Sequence, residues 1–229
     1  MGKLILLRHG QSMWNLENKF TGWTDVDLAP QGIKEAKAVG RLLKGSHVEI
    51  DRCFSSYLKR AIRTQWLVLE QAEQLHIDAS YSWKLNERHY GDWQGKDKDG
   101  VLQEIGEEPY WNIRRGFDTP PPPVGLDDSR HPRHDSNYRQ LDPQFLPSTE
   151  SLQDTQIRVL NHFYGAIAPH LVMNQTVLVT AHGNSLRALI AHLEQTPPLE
   201  LPFIEVPTGV PFLYVLDPAL RLVSHQKMT

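Results

Sequence analysis

The sequence of 229 residues contains a single cysteine, Cys53. One cysteine can form neither a disulfide within the chain nor a cysteine-based metal cluster. Its neighbours, Arg52 and Phe54, indicate a position within a strand. Because secreted domains of this size usually use disulfides, we expect a cytoplasmic protein.

Long apolar runs are also missing, and the longest one near the start covers only residues 4–7. A membrane helix needs about 18 apolar residues, and a signal peptide needs a longer apolar core and a cleavage site. We therefore expect no membrane partner and no secretion signal.

The sequence has no excess of positive charge. Lys and Arg together number 24 and Asp and Glu 27, for a formal net charge of -3. A protein that binds nucleic acid or an anionic membrane through its overall charge would be basic. We expect no nucleic-acid partner, and any site for an anion must be local. With 40% hydrophobic and 22% charged residues, the composition is that of an ordinary folded protein.

Two short apolar stretches, residues 3–7 and 176–180, are each followed at once by a histidine and a glycine. Continuous apolar stretches of this length are typical of buried parallel strands. In open α/β sheets, binding sites form where the carboxyl ends of neighbouring strands meet. The pattern predicts that His9 and His182 face each other across one crevice.

Helical and strand patterns alternate between these two stretches. Residues 51–55 predict a strand. Residues 31–43 predict a helix whose inward face carries Ile33, Ala36, Val39 and Leu43. Residues 57–75 predict a second helix whose inward face carries Leu58, Ile62, Trp66 and Leu69. Such alternation predicts one three-layer α/β domain over residues 1–229, with a mainly parallel central sheet and helices on both faces.

Residues 107–147 break this alternation, with a proline run at 120–123 and a polar stretch at 125–143. Long segments of this kind inside a domain are usually functional or mobile, so we interpret this one as an insertion or lid. His131 and His134 lie in it, but the chain has no His-Glu-x-x-His motif, and we expect no metal site.

The residues after the first strand suit a phosphate group. Arg8 offers a guanidinium fork, Gly10 allows close approach of backbone N–H groups, and Ser12 and Asn15 add donors. His9 is then placed to attack phosphorus. Taken alone, the same residues could simply turn the chain, with Arg8 paired to a carboxylate.

The second motif opens a helix, and helix N-termini attract anions. His182 alone would more often be a core histidine, and Asn184 or Ser185 alone a helix cap. Because the chain has two independent His-Gly turns, a core histidine and a helix cap are less satisfactory interpretations of this motif.

Together, Leu7-Arg8-His9-Gly10-Gln11-Ser12 and His182-Gly183-Asn184-Ser185 resemble the histidine phosphatase superfamily. Five further stretches are similar to cofactor-dependent phosphoglycerate mutases, and the resemblance covers nearly the whole chain. They are residues 18–23, 55–61, 85–91, 111–115 before the proline run, and 206–211.

The resemblance implies a role for each matching residue. His9 would be the nucleophile that becomes phosphohistidine, and Glu87 the general acid and base. Arg8, Arg60 and His182 would surround the transferring phosphoryl group. Without the resemblance, Glu87 beside Arg88 would be interpreted as an exposed ion pair.

The resemblance also implies a substrate-binding set in which several residues hold the carboxylate and the second phosphate. By composition alone, the adjacent Arg114 and Arg115 would instead be a solvated helix face. The implied set is Arg8, His9, Gly10, Gln11, Ser12, Asn15, Thr21, Gly22, Arg60, Glu87, Arg88, His89, Tyr90, Lys98, Arg114, Arg115, Gly183 and Asn184.

The activity implied is that of an isomerase, an intramolecular phosphotransferase that interconverts 3-phosphoglycerate and 2-phosphoglycerate in glycolysis and gluconeogenesis. Its cofactor would be 2,3-bisphosphoglycerate, which primes the phosphoenzyme without a metal. Relatives form dimers and tetramers, so a homo-oligomer is expected.

Two alternatives remain at this point: a histidine-type phosphatase acting on small phosphorylated metabolites, and a binding protein without activity. Many relatives also have a longer tail after the strand at 212–216. A shorter tail is expected to leave the pocket more open to water and to favour hydrolysis of the phosphoenzyme.

Overall fold

Six strands form one central sheet in the computed structural model, which describes residues 1–229. They are β1 (Gly2–Arg8), β2 (Arg52–Ser55), β3 (Ala79–Tyr81), β4 (Thr176–Ala181), β5 (Pro211–Leu216) and β6 (Leu222–Lys227). Their order across the sheet is β3-β2-β4-β1-β5-β6. The first four are parallel, whereas β5 and β6 are antiparallel to their neighbours. The predicted mainly parallel sheet is confirmed.

Eight α-helices connect and cover these strands: α1 (Met13–Leu16), α2 (Pro30–Gly45), α3 (Lys59–Gln71), α4 (Lys98–Ile105), α5 (Glu107–Arg115), α6 (Leu152–His162), α7 (Ala168–Val172) and α8 (Gly183–Leu193). A π-helical turn, Phe163–Ile167, joins α6 to α7. Short 3-10 turns occur at Trp83–Leu85, Gly91–Trp93, Pro132–His134, Ser136–Tyr138, Pro143–Phe145 and Pro198–Phe203.

Alternate side chains of β1 pack into two hydrophobic cores, one on each face of the sheet. Leu4 and Leu6 pack with residues of α6, α7 and α8, whereas Ile5 and Leu7 pack on the opposite face with residues of α2 and α3. Successive side chains of a strand point to opposite faces of a sheet, so a fully apolar strand requires helices on both sides. The predicted three layers are therefore present.

The inward face predicted for α3 is partly wrong. Trp66 is 55% exposed, and the helix instead buries Arg60, Ala61, Thr64, Gln65, Val68 and Leu69. The helix is also shorter than predicted, at Lys59–Gln71. Hydrophobic spacing misled here because half of the buried face is polar, and Arg60 on that face reaches the site described below.

The segment at 107–147 consists of α5, the proline run and three 3-10 turns. It is tied to the rest of the chain by Tyr138, which is buried against Trp23 with their ring centroids 5.0 Å apart. The Tyr138 hydroxyl accepts a hydrogen bond from Asn86 Nδ2 at 2.8 Å. Among the helices, none combines the length and the apolar character needed to cross a membrane.

Candidate active site

Three neighbouring parallel strands end at the same edge of the sheet and deliver the central side chains. Arg8 of β1 pairs with Ala181 of β4, and Ser55 of β2 pairs with Thr180 of β4. His9 and His182 follow directly, and their ring centroids lie 4.9 Å apart. The two rings therefore share one crevice, as the two strand–His–Gly patterns predict.

His9 is buried, and its Nδ1 lies 2.7 Å from the carbonyl oxygen of Gly10. A carbonyl can only accept, so Nδ1 carries the proton and the lone pair is on Nε2. Burial lowers the pKa of His9 well below its usual value, and the charges of Arg60 and Arg8 lower it further. His9 is therefore a neutral ring with Nε2 available as a nucleophile.

Gly10 is required for the close crossing of this loop over α2. A Cβ on Gly10 would lie 2.3 Å from the carbonyl oxygen of Gly32, and one on Gly32 would lie 2.2 Å from that of Gln11. Neither position can accept a side chain unless the backbone moves. The turn after β1 is thereby held directly against the start of the helix.

His182 uses the opposite nitrogen. Its Nε2 lies 2.7 Å from Ser56 Oγ, whereas its buried Nδ1 has no partner within the chain. Burial, with Arg60 and His9 as further causes, lowers the pKa of His182 well below its usual value. Ser56 was not singled out by the sequence, although it lies in one of the stretches that carry the resemblance.

Two arginines lie beside the histidines. Arg60 is only 1% exposed and donates to the carbonyl oxygens of Thr24 and Gly22, at 3.0 and 2.8 Å. Burial lowers its pKa to about 10. Arg8 donates from Nη1 to the carbonyl oxygen of Val206 at 2.8 Å, and its buried Nε has no partner.

Glu87 brings the negative charge closest to this group and is 8% exposed. Its Oε1 accepts from the backbone N–H groups of Arg88 and Asn184, at 2.8 and 3.0 Å. Its Oε2 has no hydrogen-bond partner within the chain. The carboxylate is therefore fixed through one oxygen and has the other available for proton transfer.

Of these groups, Arg8 and Glu87 line a cavity of about 160 Å³ at the sheet edge. Its lining contains five cationic side chains and one carboxylate. The lining residues are Arg8, Asn15, Thr21, Gly22, Glu87, Tyr90, Lys98, Arg114, Arg115, Gly183, Asn184 and Arg187. A small ligand with more than one anionic group suits such a lining.

The cationic wall of the cavity is built from α4 and α5. Arg88 donates from its two terminal nitrogens to the carbonyl oxygens of Ile113 and Arg114, at 3.1 and 2.9 Å. A cation at these carbonyls satisfies the last turn of α5, where the helix dipole is negative. Lys98 and Arg115 both have a pKa lowered chiefly by burial.

Not every predicted residue lines the cavity. His9, Arg60 and His182 are buried beside one another, as described above. Arg88 supports α5, Gln11 N donates to Glu35 Oε2 at 2.9 Å, and Ser12 caps α1. The ring of His89 accepts from Gly91 N at 3.1 Å and lies 5.7 Å from the ring centroid of Trp23. In this structure Arg88, Gln11, Ser12 and His89 therefore support the site from outside the lining.

Arg187 lines the cavity but was not among the predicted residues. It lies one helical turn after Asn184, a spacing at which two side chains of a helix meet, and this was the available signal. A buried ion pair between Glu150 and Arg158 was also missed. Arg158 donates to the carbonyl oxygen of Glu87 at 2.9 Å and so holds the segment that carries Glu87.

No group of three or more His, Cys, Asp or Glu side chains is arranged to hold a metal ion. The two histidines of the 107–147 segment contact different partners and do not share a site. His131 Nε2 lies 3.1 Å from Ser148 Oγ, and His134 Nε2 lies 2.8 Å from the carbonyl oxygen of Leu126.

Comparison with known proteins gives matches over almost the full length. A family model described as histidine phosphatase superfamily (branch 1) matches residues 4–210. A 2,3-bisphosphoglycerate-dependent phosphoglycerate mutase from Nautilia profundicola is 49% identical over 222 residues, which cover 97% of each chain. One of the same name from Nitratidesulfovibrio vulgaris (strain Hildenborough) is 50% identical over 226 residues, covering 99% of this chain and 90% of that protein.

Among solved structures, a mycobacterial glucosyl-3-phosphoglycerate phosphatase matches with a TM-score of 0.71. The match covers 100% of this chain and 98% of that chain, at 20% sequence identity. At that identity the likeness shows a shared fold.

Proposed function

Because the chain belongs to the histidine phosphatase superfamily and, within it, to the 2,3-bisphosphoglycerate-dependent phosphoglycerate mutases, we propose that it interconverts 3-phosphoglycerate and 2-phosphoglycerate. It is an enzyme of the isomerase class, an intramolecular phosphotransferase of glycolysis and gluconeogenesis. The observation that carries the proposal most directly is a neutral His9 beside a cavity lined by five cations and one carboxylate.

His9 performs the phosphoryl transfer in this proposal. On the primed enzyme, the free hydroxyl of the bound monophosphate attacks the phosphorus held by His9, the bond from phosphorus to Nε2 breaks, and a bisphosphoglycerate forms in the site. The Nε2 lone pair released in this step then attacks the other phosphorus, the bond to its substrate oxygen breaks, and phosphohistidine forms again as the isomeric monophosphate leaves. The hydrogen bond from Nδ1 to the Gly10 carbonyl oxygen keeps the ring in the required tautomer and orientation.

Arg8, Arg60 and His182 stabilise the charge on the equatorial oxygens of the transferring group. Two buried nitrogen atoms in this region, Arg8 Nε and His182 Nδ1, have no partner within the chain, and His182 Nδ1 is a donor when the Ser56 hydroxyl donates to Nε2. Buried polar groups are normally paired, so these two atoms support an anionic group bound in this region.

Glu87 moves the proton. Its free Oε2 takes the proton from the attacking hydroxyl group of the substrate and returns it to the departing oxygen, so no net proton is released. The two backbone N–H groups on Oε1 keep the carboxylate in place during both steps.

Lys98, Arg114 and Arg115 hold the end of the substrate that is not transferred. A phosphoglycerate presents a carboxylate as well as its phosphate, and a bisphosphoglycerate presents a second phosphate. Three adjacent cations on one wall match these charges. The other predicted lining residues, Asn15, Thr21, Gly22, Tyr90, Gly183 and Asn184, complete the binding site.

2,3-Bisphosphoglycerate is the cofactor of this proposal and supplies the phosphoryl group that primes His9. The chain's own groups fit it, because one phosphate suits the unpaired donors Arg8 Nε and His182 Nδ1 while the opposite cationic wall suits the other. This mechanism assigns no step to a metal ion.

The chain is proposed to act as a single catalytic domain with 107–147 as an insertion, in the cytoplasm where glycolysis occurs.

A homo-oligomer is also proposed. Trp66, Leu75 and Tyr81 are exposed along a groove beside the unpaired edge of β3, and a second copy would cover them. Light scattering during size-exclusion chromatography tests this, and a monomeric mass at micromolar concentration would contradict it.

Phosphorus NMR of purified protein with 3-phosphoglycerate tests the reaction. Reactions run with and without trace 2,3-bisphosphoglycerate, in the presence of a chelator, and both 2-phosphoglycerate and free phosphate are followed. We expect 2-phosphoglycerate to appear only when the bisphosphate is present. Free phosphate as the main product would favour a phosphatase, and no turnover together with no phosphohistidine would favour a binding protein.

A further inference from the structure

Arg187 is the cavity-lining cation to which no role has yet been assigned. It lies in the first half of α8, its side chain is 8% exposed, and it lines the same cavity as Asn184 and Tyr90. Arginine is rarely buried without a reason, because removing its charge from water is costly. Its contacts show what this charge is used for.

Arg187 uses two of its three nitrogens within the chain. Nε donates to the carbonyl oxygen of Ile204 at 3.0 Å, and Nη1 donates to Asn184 Oδ1 at 2.6 Å. The first bond anchors the guanidinium to the segment after the last 3-10 turn. The second, short and charge-assisted, determines which end of the Asn184 amide faces the arginine.

The orientation of Asn184 determines what Tyr90 can do. Because Oδ1 faces Arg187, the amide's Nδ2 faces the other way and donates to the Tyr90 hydroxyl oxygen at 3.0 Å. A hydroxyl that accepts in this direction has its own proton free to donate elsewhere. Tyr90 lines the cavity, so that proton is available to an anion bound there.

We propose that Arg187 is a positioning residue that fixes the Asn184 amide and thereby makes the Tyr90 hydroxyl a hydrogen-bond donor to the non-transferring end of the phosphoglycerate. This inference rests on the proposed function. It assigns Arg187 to recognition of the substrate's carboxylate end, not to stabilisation of the transferring phosphoryl group.

A lysine cannot replace this arginine. The geometry needs two donors on one rigid plane, one for the Ile204 carbonyl and one for the Asn184 amide, and the guanidinium fork supplies both. An ammonium group keeps the charge but lacks the rigid fork that directs two donors along fixed lines. Arg187→Lys therefore separates the positioning role from the simple effect of positive charge.

Binding measured by calorimetry on the full chain tests the proposal with two probes. Inorganic phosphate presents a single anionic group, whereas 3-phosphoglycerate presents a phosphate and a carboxylate and needs both ends of the cavity. We expect Arg187→Lys to weaken binding of 3-phosphoglycerate by about tenfold, the value of one hydrogen bond to a charged group, and binding of phosphate by less than about twofold.

A double-mutant cycle with Tyr90→Phe tests the connection itself. If Arg187 acts through Tyr90, Arg187→Lys lowers the affinity for 3-phosphoglycerate by less than about threefold in the Tyr90→Phe background. An undiminished tenfold loss in that background, or an equal loss for both probes in the wild-type background, would overturn the proposal. If Arg187→Lys does not fold, Asn184→Ser interrupts the same chain of hydrogen bonds and is expected to give the same selective loss.

Measurements on the wild-type protein distinguish a failure of the role proposed for Arg187 from a failure of the proposed function. If the wild-type protein neither binds 3-phosphoglycerate nor becomes phosphorylated by 2,3-bisphosphoglycerate, the proposed function fails and the role of Arg187 fails with it. If it does both, the variants decide the role of Arg187 alone.

Discussion

His9 and His182 lie side by side but offer opposite nitrogens. His9 commits Nδ1 to the Gly10 carbonyl oxygen and leaves Nε2 unpaired, whereas His182 commits Nε2 to Ser56 and leaves Nδ1 unpaired. A fixed acceptor on one ring makes its other nitrogen a nucleophile. This asymmetry is the physical reason for assigning the attack to His9 and a supporting role to His182.

Replacing His9 with alanine is expected to abolish formation of the phosphoenzyme, because no other buried histidine beside the cavity has its Nε2 free: that of His182 contacts Ser56 and that of His89 contacts Gln94. The measurement is the intact mass of the protein after treatment with 2,3-bisphosphoglycerate at neutral pH, since phosphohistidine is lost in acid. His76→Gln is the matched control, because His76 is exposed and remote from the cavity. A phosphorylated His9→Ala protein would contradict the assignment.

Replacing Glu87 with glutamine is expected to lower kcat by about 10²-fold or more, the usual size of a lost general acid–base group. The amide oxygen of glutamine can still accept from the N–H groups of Arg88 and Asn184, so the fold is expected to be retained. Thermal unfolding checks the fold, and steady-state kinetics measure the loss. A kcat close to that of the wild-type protein would remove Glu87 from the mechanism.

Residues 86–90, which carry Glu87, follow the 3-10 turn at Trp83–Leu85, have no regular structure of their own and are held by α6. Arg158 donates to the carbonyl oxygens of Lys84, Asn86 and Glu87, at 2.8, 2.9 and 2.9 Å, and pairs with Glu150 through both carboxylate oxygens. The second of these oxygens also accepts from His89 N at 2.8 Å. Residues 84–89 are thus fixed by one buried ion pair.

Arg158→Lys is expected to lower the free energy of unfolding by about 3 kcal/mol, because a buried ion pair loses most of its hydrogen bonds. It should also lower kcat more than it changes KM, since Glu87 is displaced while the cationic wall is intact. Urea unfolding and steady-state kinetics measure the two effects. Arg221→Lys is the control, since that salt bridge with Asp217 is exposed and worth little.

The outcome for Arg158→Lys distinguishes two roles. A loss of stability with unchanged kcat would show that the ion pair supports the fold without positioning Glu87. An increase in KM alone would place its influence on the binding wall.

Local sequence predicted the elements that are apolar or end in a distinctive motif. β1 and β4 were predicted because buried parallel strands are continuous apolar stretches, and their ends placed His9 and His182 together. The inward face of α3 was wrong at Trp66, because Arg60 and other polar residues occupy half of that face.

The supporting network could not be predicted in the same way. Ser56, Glu150 and Arg158 act through partners far along the chain. Ser56 meets His182 across 126 positions, and Arg158 meets Glu87 across 71. Such contacts are consequences of the assembled sheet and cannot be read from periodicity or spacing.

Charge in the folded protein is distributed very unevenly. The chain has a formal net charge of -3, yet the cavity lining has five cations against one carboxylate. The fold also buries four histidines, and three of them, His9, His89 and His182, lie in the site or in the segments that support it. Burial is the main cause that lowers the pKa of each of these three, to about 3 for His89.

These three histidines make the fold sensitive to acid. In the unfolded chain each would titrate near pH 6.5, whereas in the folded protein each stays neutral to a much lower pH. Below pH 6.5 the unfolded chain therefore binds protons that the folded protein does not, and the free energy of unfolding falls as the pH falls. The loss expected between pH 6.5 and 5.5 is about 1 kcal/mol for each of these three histidines. His131, His162 and His192, whose pKa values are also lowered chiefly by burial, add to this loss.

Urea unfolding at pH 7.5, 6.5 and 5.5 measures this dependence. His89→Gln removes one of the three groups, so its free energy of unfolding, although lower overall, is expected to fall by about 1 kcal/mol less between pH 6.5 and 5.5. His76→Gln replaces an exposed histidine outside the buried set and is the matched control for the substitution itself. A free energy of unfolding that stays constant from pH 7.5 to 5.5 would mean that the buried histidines take up protons as readily in the fold as in the unfolded chain, and burial would then not be what keeps His9 neutral.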